Sequence, residues 1–123
     1  MKIKIEIEKG DTIKSELHEG GEEDKELHKP CPFYYGYIIG TEAEDGDPID
    51  AILLTEDKYK KGDEVEVGKP KRIIKVLDEG QRDDKHIFIK GEITRHQFRK
   101  NTTKAINYIK DYKEKQGDNI IIF

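Results

Sequence analysis

Asp45, Asp47 and Asp50 lie within six residues of one another in "AEDGDPIDAILL", just ahead of an apolar run that must enter a core. Three carboxylates this close repel one another and are unfavourable to desolvate, so bound cations are expected to offset them. In an extended segment Asp45 and Asp47 point to one face, and Pro48 restricts the backbone so that a bend brings Asp50 toward them. A second cluster, "DEGQRDDK", carries Asp78, Glu79, Asp83 and Asp84 beside Lys85. Alone it reads as a solvated turn. Together the clusters read as two halves of a multi-metal cage. With one Cys and no His at ligand spacing, the oxygen-only donor set favours Mg²⁺ over zinc. Two such ions can bridge a water, lower its pKa and clamp the oxygens of a phosphoryl group. Lys14, Lys85, and Lys113 beside Tyr112 supply point charges for phosphate oxygens. An EF-hand reading, with Asp45, Asp47 and Glu56 as first, third and last ligands, fails because Asp50 falls where that loop needs glycine and strands flank it.

The elements that must position these groups are short. "KIKIEIE" alternates, placing Ile3, Ile5 and Ile7 on one face of a strand and Lys2, Lys4, Glu6 and Glu8 on the other. "HEGGEEDKELHKP" reads as a polar connection, and "PCPFYYGYIIG" as an aromatic strand with Phe33, Tyr35 and Tyr37 on one face. "PIDAILL", "DEVEVG", "RIIKVL" and "HIFIK" are further strands divided by turn residues, and many short strands suggest a small barrel. From Thr94 the period changes. Phe98, Thr102, Ala105, Ile109 and Tyr112 form the stripe of an amphipathic helix that "KQGDN" ends, and "NIIIF" is a final strand.

The 123 residues suit a single domain, 1–123, with an economical core, since 33% are hydrophobic and 41% charged. A net charge of −4 argues against nucleic-acid or membrane-surface binding. No segment reads as a signal peptide or membrane span, and a lone Cys31 fits a reducing cytoplasm. The four histidines and the basic "RHQFRKNTTK" read as surface.

"DGDPIDA", preceded by "FYYGYI" and followed by "DEGQRDDK", resembles the signature of soluble family I inorganic pyrophosphatases. "IEIEKGDTIKSE" is similar to the family's first strand and its Lys-x-Glu, and "YIKDYKEK" to the helix bearing its Tyr-Lys pair. The resemblance implies a mainly β fold, a small OB-like five-stranded closed barrel with a C-terminal amphipathic helix, and Mg²⁺-dependent hydrolysis of inorganic pyrophosphate by a metal-bridged water. Several Mg²⁺ ions per site are implied, with Mn²⁺ or other divalent ions as substitutes. By position, Asp45, Asp50, Asp78 and Asp83 match metal ligands, and Glu16 a ligand to a metal arriving with substrate. Asp47 matches the general base, Lys14, Lys85, Tyr112 and Lys113 match pyrophosphate contacts, and Tyr35 a tyrosine lining the site. The chain departs from the pattern in three places. Lys25 stands in for the family's substrate-binding Arg, Ser15 replaces a Tyr, and the chain ends at Phe123 where bacterial members continue into another helix. A homo-oligomer is compatible with the resemblance. The rival readings are a degenerate member or a phosphoanhydride hydrolase with another substrate, and an OB-like nucleic-acid-binding module, which the acidic clusters oppose.

Overall fold

A computed structural model describes residues 1–18, 21–27 and 29–123; the side chains of 15–18 and 21–23 lie outside what it describes. Eleven strands and one helix follow in the order β1 (Lys2–Ile7), β2 (Ile13–His18), β3 (Gly21–Glu26), β4 (Tyr34–Ile38), β5 (Asp50–Leu54), β6 (Glu64–Glu66), β7 (Arg72–Ile74), β8 (Val76–Asp78), β9 (Gln81–Arg82), β10 (Lys85–Ile89), α1 (Arg95–Lys115) and β11 (Ile120–Ile122). The fold is mainly β with one helix near the C-terminus.

Six strands form the main sheet in the order β6-β1-β4-β5-β10-β7, with a three-stranded sheet β11-β8-β9 and a β2-β3 ribbon beside it. Where a closed five-stranded barrel was expected, the described ladders give six strands in an open order, with β6 and β7 at the edges. Strand patterning reports which faces are buried and leaves open how the ladder ends meet.

The central strands are buried on both faces. One apolar cluster, including Phe33, Ile52, Ile74, Ile87, Ala105 and Ile109, lies under α1. The other, including Ile3, Ile5, Tyr34, Leu53, Val65 and Phe88, fills the opposite face. This is why "AILL" and "IFI" read as continuous apolar runs rather than alternations.

Three local expectations change. The register of β1 against β4 shifts between Ile5 and Ile7, so Ile7 joins the cluster under α1 while Ile3 and Ile5 join the other. Glu6, expected on a solvated face, is buried. The shift sits at Gly36, where an added Cβ would collide with the Lys4 carbonyl, so only glycine admits this approach of β1 to β4. "RIIKVL" is two strands rather than one: β7 pairs with β10, and β8 leaves it to pair with β9 and β11. The polar "GEEDKE" within the expected connection is strand β3, paired with β2 from Ile13↔Glu26 to His18↔Gly21. A ribbon beside the main sheet is held by its ladder and need not show an apolar alternation.

Helix α1 begins where the sequence places it. Thr94 is the N-cap, and its side chain and that of Gln97 exchange bonds with each other's backbone in a capping box. The buried face is Thr102, Ala105, Tyr108 and Ile109, so Tyr108 joins the expected stripe, anchored by a 2.8 Å bond from its hydroxyl to the Lys29 carbonyl. At the other end Gly117, at φ 81°, turns the chain toward β11.

Candidate active site

Between the ends of β4, β5 and α1 and the β8–β9 hairpin lies a cleft of about 210 Å³. Its first wall is the "DGDP" loop. Asp45 caps it by accepting the Asp47 amide at 3.0 Å, the Ala43 amide bonds the Asp47 carbonyl at 2.7 Å, and Gly46 supplies the φ of 87° the turn requires. Asp45, Asp47 and Pro48 therefore line the cleft beside Asp50, the first residue of β5.

The second wall comes from the second acidic cluster. Glu79 and Gly80, both at positive φ, form a two-residue turn between β8 and β9. That hairpin puts Asp78 and Asp83 into the cleft. Asp84 faces the other way, accepting the Val76 amide at 3.0 Å and pairing with Arg82 at 2.6 Å. The solvated-turn reading thus holds for the exposed Glu79 and not for Asp78, Asp83 or Asp84, which are 18% to 22% exposed.

Cations stand among the carboxylates. β10 runs parallel to β5 with Lys85 opposite Asp50, and the Lys85 ammonium, only 3% exposed, pairs with Asp50 and, at 2.9 Å, with Asp83. Lys113, from the last turn of α1, reaches Asp78 at 2.6 Å and Asp83 at 3.1 Å. Burial alone would lower the pKa of both lysines, but the facing aspartates outweigh it and raise them, so both stay charged. Burial likewise pushes the Asp50 carboxyl up, and the ammonium groups of Lys85 and Lys14 overcome this and hold it below the usual aspartate range. Lys14, Tyr35 and Tyr112 complete the lining from β2, β4 and α1.

Ten of the eleven residues singled out in the sequence are thereby brought to one cleft. The eleventh, Glu16, has its side chain outside the described residues. Lys25, which the resemblance sets against the family's Arg, also lines the cleft, where the β2–β3 register puts it directly opposite Lys14. Two contributors escaped the sequence reading. Glu6 is close enough to Tyr35 to help raise its pKa, and it is turned inward by the β1 register shift. Asp118 follows α1 and converges with Asp78 and Glu79, the carboxylate trio among the described residues whose oxygens lie within 4.8 Å of one another. Its only signal in the sequence was its place after the helix-ending glycine.

The donor chemistry fits hard divalent cations. Among the described residues the cleft's carboxylates are all oxygen donors, no histidine lines it, and the Cys31 thiol is turned to the Phe33 carbonyl at 3.2 Å. Carboxylates for cations, set against ammonium groups for phosphate oxygens, define the class: a metal-dependent hydrolase of phosphoanhydrides.

The family description "inorganic pyrophosphatase" matches residues 3–123. The inorganic pyrophosphatase of Sulfolobus acidocaldarius is 30% identical over 129 residues, covering 91% of this chain and 73% of that protein. That of Gluconobacter oxydans is 34% identical over 101 residues, covering 78% of this chain and 58% of its own. The chain thus spans between about half and three quarters of the length of such relatives. The crystal structure of the Thermus thermophilus inorganic pyrophosphatase superposes with a TM-score of 0.80 at 24% identity, covering 100% of this chain and 79% of that one. The chain belongs to the inorganic pyrophosphatase family, divalent-metal-dependent enzymes that hydrolyse pyrophosphate. No described helix is long and apolar enough to cross a membrane.

Proposed function

We propose that this cleft hydrolyses inorganic pyrophosphate to two phosphates with Mg²⁺, or Mn²⁺ in its place, held by Asp45, Asp50, Asp78 and Asp83, with Glu16 joining when substrate arrives. Bound there, the cations supply an activated water and offset charge on phosphate oxygens. The Asp47 carboxylate takes the proton of the attacking water as its oxygen bonds phosphorus and the bridging P–O bond breaks. Lys14, Lys85, Tyr112 and Lys113 hold the phosphate oxygens, and Lys25 takes the place of the family's Arg. An ammonium lacks the planar two-pronged grip of a guanidinium. This favours, as second reading, a related phosphoanhydride as the preferred substrate.

The observation that carries the proposal is convergence: residues from five separate stretches of chain, singled out by type, spacing and the family resemblance, line one cleft. We further propose that 1–123 works as one pyrophosphatase-like domain in a reducing cytoplasm and that a homo-oligomer is compatible with it. The test is phosphate release from pyrophosphate with and without Mg²⁺, for the wild type and Asp47→Asn. Mg²⁺-dependent release that falls by two or more orders of magnitude in the variant is expected, in line with the usual weight of a positioned general base. Equal rates in the two proteins would remove Asp47 from that role, and release from another phosphoanhydride alone would favour the second reading.

A further inference from the structure

Tyr35 is placed unlike any other residue of the cleft. Its ring lies under two ammonium groups from different parts of the fold, Lys14 Nζ of the β2–β3 ribbon at 4.9 Å from the ring centroid and Lys85 Nζ of the main sheet at 6.0 Å. The residue is 8% exposed, and its ring packs against Phe33, with centroids 6.2 Å apart.

We propose that the Tyr35 ring is a positioning residue, a cation–π platform that holds Lys14 and Lys85 where they meet the phosphate oxygens of the substrate. The proposal rests on the pyrophosphatase reading above and adds to it how two of the substrate-binding cations are aimed. Lys85 also pairs with Asp50 and Asp83, carboxylates proposed to take the divalent cations, so the ring is the attractor it keeps once cations occupy them. An aromatic face attracts a cation through its quadrupole while carrying no formal charge. It therefore attracts an ammonium without itself consuming a metal ligand. Burial excludes water from this contact, which strengthens it.

The test keeps the shape of the ring and drains its quadrupole. Tyr35→Phe serves as reference, and further variants carry phenylalanines with one, two and three ring fluorines at position 35. At fixed Mg²⁺ the KM for pyrophosphate should climb stepwise, by about fivefold to thirtyfold over the series, with kcat changing less. Calorimetric titration with pyrophosphate should weaken in the same order, while the melting temperature stays level because packing is preserved. Tyr35→Leu, which fills space without a quadrupole, should fall at the weak end. A KM that ignores fluorination, or Leu matching Phe, overturns the proposal while leaving the pyrophosphatase reading standing. A wild type that neither binds nor hydrolyses pyrophosphate overturns both.

Discussion

Lys113 pairs with two of the carboxylates proposed to hold divalent cations, and removing its charge should therefore tighten metal binding. Its ammonium pairs with Asp78 at 2.6 Å and Asp83 at 3.1 Å, in a setting where the three side chains are 16% to 18% exposed. A hydrogen bond between charged groups contributes about 1.5–3 kcal/mol net. Partial exposure places this pair near the lower figure, about 1.5 kcal/mol. In Lys113→Met that interaction no longer opposes the incoming cation, so the Kd for Mg²⁺ measured calorimetrically without pyrophosphate should fall roughly tenfold. The same loss leaves two acidic groups less compensated in the metal-free fold. With an unfolding entropy of about 2 cal/mol/K per residue, 1.5 kcal/mol corresponds to roughly a 6 °C lower melting temperature. Saturating Mg²⁺ should restore most of that difference, enlarging the metal-induced shift relative to wild type. The sign is what makes the experiment decisive, because a lysine that merely braced the cleft would give weaker metal binding when removed. Unchanged or weaker Mg²⁺ affinity in Lys113→Met would refute the competition.

Gly36→Ala should destabilise by about 3 kcal/mol or more, because the new Cβ meets the Lys4 carbonyl, and denaturant unfolding will read it; a loss under 1 kcal/mol would mean that β1 can shift freely. Thr102 Oγ1 is buried with no hydrogen-bond partner among the described residues, so Thr102→Val should raise the melting temperature by about 4 °C, near 1 kcal/mol, and a lower value would reveal a bond to the hydroxyl. Burial pushes the Cys31 thiol from its ordinary 9.0 up to about 12, opposed by the Phe33 carbonyl contact and Lys14. Its contribution to stability is then complete below pH 9 and is lost as pH rises toward the folded value. At pH 9 alkylation of the native protein should be slow and that of the unfolded protein fast; equal rates would count against the buried thiol.

What could be read ahead of the structure, and what could not, divides by range along the chain. Asp45, Asp47 and Asp50 were legible as a set because Gly46 and Pro48 define a local turn whose chemistry is written in adjacent residues. The stripe of α1 from Thr94 onward was legible for the same reason. Glu6 was not, since its inward turn depends on Gly36 of a partner strand admitting the Lys4 carbonyl, a contact more than 30 positions away that alternation alone assigns to the wrong face. Strand β3 stayed hidden because its pairing with β2 leaves no apolar period in "GEEDKE". The place of Lys25 was likewise a matter of register, opposite Lys14, and could not follow from its neighbours in sequence.

Register also explains why the site and the core cannot vary independently. β10 pairs in parallel with β5, Lys85 opposite Asp50, Ile87 opposite Ile52 and Phe88 opposite Leu53. Ile87 packs in the cluster under α1 and Phe88 in the cluster on the far face, so the strand is held from both sides. A slip of one residue would exchange those faces and drive polar groups into both clusters. The same slip would turn the Lys85 ammonium out of the cleft, taking from Asp50 and Asp83 one of the cations that offset them. Two apolar side chains that touch no ligand thus set the position of a charged one that lines the cleft. Ile52, Leu53, Ile87 and Phe88, among the most buried side chains, thus lie on the two strands that carry Asp50 and Lys85.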